Sequence, residues 1–273
     1  MSDKSETRDF LTFLVKLALF VFVLRSFIVA PFNIPSESMQ PRLLIGDYLI
    51  VGKWPYGYSR YSMPFSLPLI PGRIFPDTPE RGDVVVFKAP PTQHQDYIKR
   101  VIGLPGDIIE IRSGQVILNG QPVEKRRIED LVIPVTQNMT DATQRERGLS
   151  PCYRPEFEEE RDGQRFCRYP QFRETLPGGK SYNVLDVVSD GAADNRDPIT
   201  IPEGKLFLMG DNRDRSADSR FPAEEGGGIG LVPEQNLVGK ALFTVFSTDG
   251  SASWLLPWTW FTAARWGRIG EGF

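Results

Sequence analysis

Hydrophobic positions are spread very unevenly along this 273-residue chain. A single apolar block, Phe10 to Ala30 (FLTFLVKLALFVFVLRSFIVA), is broken only by Lys16 and Arg25. About 20 such residues cross a bilayer as a helix. A helix apolar on all sides has no polar face to give to water, so the block predicts a membrane-spanning anchor rather than a buried core helix. Arg25 can snorkel to an interface, and Lys16 lies within three turns of the block's start. The block is longer than a signal-peptide core, and Pro31 after Ala30 is a poor cleavage context, so the reading is a retained anchor. Lys4 and Arg8 precede it and Arg25 and Arg42 follow, so charge sets no orientation.

Beyond the anchor the apolar runs are short and bounded by turn residues, as β-strands are. Strands are predicted at Tyr48–Val51, Val84–Phe87, Tyr97–Ile102, Ile108–Ile111, Gln115–Leu118, Leu206–Met209 and Leu237–Phe246, with Asn119-Gly120 as a hairpin turn. No helical period stands out after the anchor. The fold class expected is mainly β: one transmembrane helix, then an antiparallel β-rich catalytic domain interrupted by a smaller β domain. The divisions are a short tail at 1–9, the anchor at 10–30, catalytic parts at 31–111 and 205–248, a polar insertion at 112–204 and an aromatic tail at 249–273. The Pro- and aromatic-rich stretch Lys53–Glu80 reads as an excursion beside the membrane or over the site. The tail Trp254–Trp266 suits either the membrane interface or the protein surface.

Composition narrows the chemistry. A net charge of −3 gives no footprint for nucleic acid. The two cysteines, Cys152 and Cys167, lack the spacing and histidines of a zinc site. They are compatible with a disulfide closing a short loop, and equally with two free thiols. The single histidine, His94, sits in a polar loop and reads as solvated, so a Ser-His-Asp triad has little support. No Gly-x-Ser-x-Gly elbow, Ser-x-x-Lys pair or phosphate loop occurs.

Three segments carry polar groups in suggestive order. In Ile34-Pro35-Ser36-Glu37-Ser38-Met39, two serines spaced by one residue share a side if the chain is extended. One can attack while the other supports an oxyanion. In Tyr97-Ile98-Lys99-Arg100-Val101-Ile102, a strand sets Lys99 among apolar neighbours; burial disfavours its ammonium form and fits it to accept a proton. Arg100 stays protonated and cannot. In Gly210-Asp211-Asn212-Arg213-Asp214-Arg215-Ser216-Ala217-Asp218-Ser219-Arg220, small, polar and charged residues alternate as in a structured polar network. Alone, each has a plain alternative: a Ser-rich turn, a snorkelling strand lysine, a charged surface turn.

Together and in this order, with Arg81-Gly82-Asp83-Val84-Val85-Val86-Phe87 between the first and second, these segments resemble bacterial signal peptidase I, a Ser/Lys serine protease family. The resemblance covers the anchor to about residue 111 and about 205 to 246. It implies Ser38 as nucleophile and Lys99 as general base. Ser36, with the Ser38 backbone N–H, would form the oxyanion hole, and Ser216 would orient Lys99. Asp218 would be a supporting carboxylate paired with Arg100 and Arg220. Phe32, Ile34, Pro35 and Ile98 would line shallow pockets behind an Ala-x-Ala preference. It implies no metal and no cofactor. The implied partners are preprotein signal peptides and membrane lipid. The implied location is the bacterial inner membrane, single-pass, with the catalytic part on the extracytoplasmic (periplasmic) side. Glu37, Arg42 and Arg215 stand where Gly, Thr and Asn are common in the family; Glu37 is expected to point away from the serine face. Other readings stay open: a specialised relative processing conjugative pilus subunits, a self-cleaving Ser/Lys repressor protease, or a catalytically inactive membrane-tethered binding module.

Overall fold

A computed structural model describes residues 2–189, 191–253 and 255–273. The apolar block forms a helix from Ser2 to Val23 that widens into a π-helical turn over Leu24–Ile28. It ends two residues before the expected Ala30, because Val29 turns extended and enters strand Val29–Asn33. Residues Glu6–Ile28 are long and apolar enough to cross a membrane, and that stretch is almost entirely unburied by the rest of the chain.

The remainder is mainly antiparallel β. A seven-stranded sheet has the order Val29–Asn33, Asp47–Gly52, Leu237–Ser247, Val84–Lys88, Asp96–Gly103, Lys205–Met209, Val232–Pro233. Every strand expected from the short apolar runs is present, most extended by a residue at one or both ends. The sheet curls, so that Phe32 from its first strand and Ile34 just after it pack in the same clusters as Ile98 from its fifth. That curl brings the serine segment to the lysine strand. A second sheet combines Arg196–Thr200, Ile108–Arg112, Gln115–Leu118 and Gln121–Pro122. Asn119 and Gly120 make its tight turn with φ of 54° and 78°, the left-handed pair such hairpins require. A third sheet, Glu124–Pro134, Gln164–Thr175, Glu158–Arg161 and Ser181–Leu185, lies within the polar stretch.

Two helices follow the anchor where no helical period was expected. Gln137–Glu146 is polar nearly all round and buries only Met139 and Ala142; Thr136 caps its start and Arg147, left-handed at φ 54°, ends it. The five-residue turn Thr259–Ala263 lies in the tail. Trp254 lies outside the described residues. The rest of that tail divides: Leu255, Trp258 and Phe261 are exposed, whereas Ala263 and Ala264 are buried and Arg265 and Arg268 reach the fully buried Asp47. The excursion after Lys53 packs on the end of the anchor, where Tyr58 Oη donates to the Phe27 carbonyl at 3.1 Å.

Cys152 and Cys167 form a disulfide in a buried cluster with Met139, Ala142, Tyr169 and Leu185. It closes a loop of sequence separation 15, worth about 3 kcal/mol through the unfolded chain. A Cys152→Ala/Cys167→Ala variant is expected to lose about that much in denaturant unfolding. An unchanged midpoint would show that the loop is held by its packing alone.

Candidate active site

The serine segment is a turn rather than an extended chain. After strand Val29–Asn33 the backbone bends at Ser36, and Gln40 N donates to the Glu37 carbonyl at 2.9 Å. The two hydroxyls still share a side, with Ser36 Oγ 3.4 Å from Ser38 Oγ. Asp47 fixes the far end of this segment, accepting from Leu44 N at 2.8 Å and from Arg268 at 2.7 Å. Ser38 is buried and Ser36 exposed. The Ser38 backbone N–H has no acceptor among the described residues.

Lys99 comes from the middle of strand Asp96–Gly103, opposite Val85. It is 3% exposed, and its Nζ donates to Ser38 Oγ at 2.8 Å and to the Ile98 carbonyl at 3.0 Å. Burial lowers its pKa to about 8; the charges of Asp218 and Asp211 oppose that shift and do not overcome it.

Beneath the pair the expected polar network is present, buried, with different partners. Arg220 binds the Asp218 carboxylate through Nε at 2.8 Å and a terminal nitrogen at 3.0 Å, and Gly210 N donates to the same carboxylate at 3.0 Å. Burial works to raise the Asp218 pKa, but Arg220 and these donors hold it below the ordinary value. Arg100 does not pair with Asp218. It makes a two-pronged bond to Asp211, at 2.7 and 2.6 Å, because strand pairing sets Met209 opposite Arg100 and so delivers Asp211 to it. Ser216 does not bond to Lys99 either. It lies beside Asp218 and helps lower that carboxylate's pKa, but its Oγ meets hydrogen-bond geometry to nothing.

The polar insertion contributes groups that no sequence pattern marks. Arg213 pairs with the buried Glu174, and Tyr182 Oη donates to the same carboxylate at 2.9 Å while its ring lies under Arg100. Leu185 N donates to the Asp211 carbonyl and Arg213 N to the Leu185 carbonyl, both at 2.8 Å. The sheet within the insertion therefore clamps the 210–220 loop. Glu37 turns from the serine face into a pair with Arg215 at 3.3 Å, and Arg215 also holds Glu146 of the second helix at 2.6 Å. Two of the departures from the family pattern, Glu37 and Arg215, are thus one ion pair. His94 is exposed, 4.0 Å from Glu225.

Gly210 sits where the loop presses on the serine turn. A Cβ there would come within 2.3 Å of Ser216 Oγ and 2.4 Å of the Ser38 carbonyl oxygen. Backbone cannot yield as a side-chain tip can. Gly210→Ala is expected to shift Ser38 away from Lys99 and lower kcat by about 10²-fold, with KM little changed and about 1–3 kcal/mol of stability lost. Wild-type kcat in this variant would show that the contact does not position Ser38.

Above the pair lies a groove of about 540 Å³. Phe32, Ile34, Pro35 and Ile98, all four residues expected there, line it with Val86 and Tyr97, as do Ser36, Ser38 and Lys99. The model for the family described as "Signal peptidase, peptidase S26" matches residues 7–246. This chain belongs to that family. Among individual relatives, signal peptidase I of Rickettsia typhi is 35% identical over 253 residues, covering 90% of this chain and 81% of the relative. That of Rickettsia canadensis is 37% identical over 244 residues, covering 86% and 77%. A solved signal peptidase I from Enterococcus faecalis shares 24% identity over 60% of this chain and 97% of its own, with a TM-score of 0.29. As a signal peptidase family member the chain is a serine endopeptidase associated with the membrane.

Proposed function

We propose that the chain cleaves signal peptides from exported preproteins after small residues, with Ser38 as nucleophile and Lys99 as its base. The observation that carries this is the 2.8 Å contact between Ser38 Oγ and a buried Lys99 Nζ whose pKa is lowered to about 8. A lysine near that value is neutral in a usable fraction at physiological pH. Ser38 Oγ attacks the scissile carbonyl carbon as its proton passes to Lys99. The Ser38 N–H and the Ser36 hydroxyl stabilise the oxyanion. The Lys99 ammonium protonates the leaving amine. Neutral again, Lys99 takes a proton from the water that hydrolyses the acyl ester.

The groove supports the specificity. Its strand walls, Val29–Asn33 at the sheet edge and the start of Asp96–Gly103, suit an extended substrate that adds backbone hydrogen bonds. The lysine strand pairs with Lys205–Met209 only from Arg100 onward, which leaves the edge of residues 96–99 open. The apolar residues Phe32, Ile34, Pro35 and Ile98 beside the nucleophile suit a small apolar side chain before the cut. The anchor holds the enzyme in the plane of membrane-bound substrates; in this reading it crosses once and sets the catalytic part on the extracytoplasmic side.

The test is cleavage of a preprotein by the full chain in detergent, with the cut site mapped by mass spectrometry. Replacing the alanine before the cut by leucine is expected to reduce kcat/KM about 10²-fold. Equal cleavage after leucine would overturn the small-residue reading. Cleavage of pilin-type substrates only would favour a specialised relative.

A further inference from the structure

At the foot of the anchor lies a second cavity, of about 150 Å³, separate from the catalytic pair. Arg25, Lys53 and Lys88 line it, with Asp96 as the one carboxylate. Lys88 is matched to Asp96 at 3.0 Å. Lys53 is not matched. It is 4% exposed, and its Nζ lies 5.6 Å above the Phe32 ring with no hydrogen-bond or ion-pair partner among the described residues. Its backbone N–H is tied to the Ile28 carbonyl at the end of the anchor. Burial lowers the Lys53 pKa to about 8; the charge of Asp96 opposes that shift, and those of Lys88 and Arg25 add to it. The cavity lining sets Arg25, Lys53 and Lys88 against the single carboxylate of Asp96, so it carries excess positive charge. A buried, unpaired ammonium is costly unless an anion joins it.

Position selects the anion. The 23 residues Glu6–Ile28 span about 34 Å as a helix, close to the roughly 30 Å hydrocarbon thickness, so Arg25 near their end falls at headgroup level. Phe65, at the cavity wall, is 97% exposed and held at φ 58°, and Phe75 nearby in sequence is 80% exposed. Exposed aromatics beside unpaired cations suit the boundary between acyl chains and phosphates. We propose that this cavity binds the phosphate of an anionic phospholipid headgroup between Arg25 and Lys53, with Phe65 in the acyl boundary. The guanidinium supplies a planar two-pronged donor and the ammonium a point charge. Phe32 and Asp96 line both this cavity and the cleavage groove, so a bound headgroup bears on the substrate wall. The proposal rests on the anchor crossing a bilayer and is independent of the catalytic roles.

The experiment titrates the full chain, in neutral-detergent micelles, with phosphatidylglycerol or phosphatidylcholine and counts retained lipid by native mass spectrometry. Phosphatidylglycerol is expected to saturate one site and to outcompete phosphatidylcholine. Lys53→Met and Arg25→Gln should each weaken retention about fivefold, and Lys53→Arg should restore it. Arg25 is exposed, so its variant carries no folding risk, and Arg126→Gln on the third sheet should behave as wild type. Undiminished retention by both the Lys53→Met and Arg25→Gln variants, or equal retention of phosphatidylcholine, would overturn the site. Displacement of the lipid by low-millimolar inorganic phosphate would assign the cavity to a free anion instead. Cleavage of a soluble peptide, measured in parallel, reports Ser38 and Lys99 separately.

Discussion

Lys99→Met is expected to abolish cleavage, with kcat/KM down at least about 10³-fold, and yet to unfold at a higher temperature than wild type near neutral pH. Both follow from one buried amine. Its pKa is about 8 in the fold and about 10.4 in the unfolded chain. Between those values the unfolded state binds more protons, so stability rises with pH across that window. Below pH 8 the fold carries the full cost of a buried ammonium, on the order of 3 kcal/mol. Methionine keeps most of the stem without the charge. The gain in Tm should therefore be largest at pH 6–7 and shrink toward pH 10. Wild-type kcat/KM should rise with pH through an apparent pKa near 8, as the neutral amine accumulates. A Tm gain independent of pH would mean that packing, not ionisation, explains the stabilisation. A rate profile flat from pH 6 to 9 would remove Lys99 as the base.

The strands were legible in the sequence because they rest on local pattern; Ser38 and Lys99 stood out only through the resemblance, and the structure sets their side chains 2.8 Å apart. Alternation in Tyr97–Ile102 fixes which side chains share a face, and two serines spaced by one residue stay together in a bend as in a strand. Partner choice inside the polar loop was not legible. Asp211 and Asp218 are chemically alike, and only the register of Met209 against Arg100 decides that Arg100 takes the first. The Gln137–Glu146 helix escaped detection because its two buried residues, Met139 and Ala142, make too narrow a stripe for a period to show. Its end nonetheless reaches the site, through Glu146 and Arg215 to Glu37. Glu174 and Tyr182 lie in strands whose alternation looks solvent-facing, and they are buried only because the third sheet closes on the 210–220 loop. What the sequence lacks in each case is tertiary proximity, and a lone charged residue carries no sign of it.

Ser38→Ala and Ser36→Ala are expected to separate by more than tenfold, although the two hydroxyls are only 3.4 Å apart. Lys99 Nζ donates to Ser38 Oγ at 2.8 Å and makes no hydrogen bond to Ser36. Only Ser38 can pass its proton directly to the base. Removing it should leave no acyl-enzyme route and cost at least about 10⁴-fold in kcat. On the proposed roles, removing Ser36 deletes one oxyanion donor while the Ser38 N–H remains, an expected loss of about 10²–10³-fold in kcat with KM nearly unchanged. The covalent intermediate supplies an independent readout. An acylating serine reagent should mark Ser38 in wild type and in Ser36→Ala, more slowly in the latter, and mark nothing at this site in Ser38→Ala. Adduct on Ser36, or equal losses in the two variants, would reverse the assignment: Ser36, the exposed hydroxyl, would be the attacking group, and the Lys99–Ser38 contact a resting arrangement from which the lysine must swing before reaction.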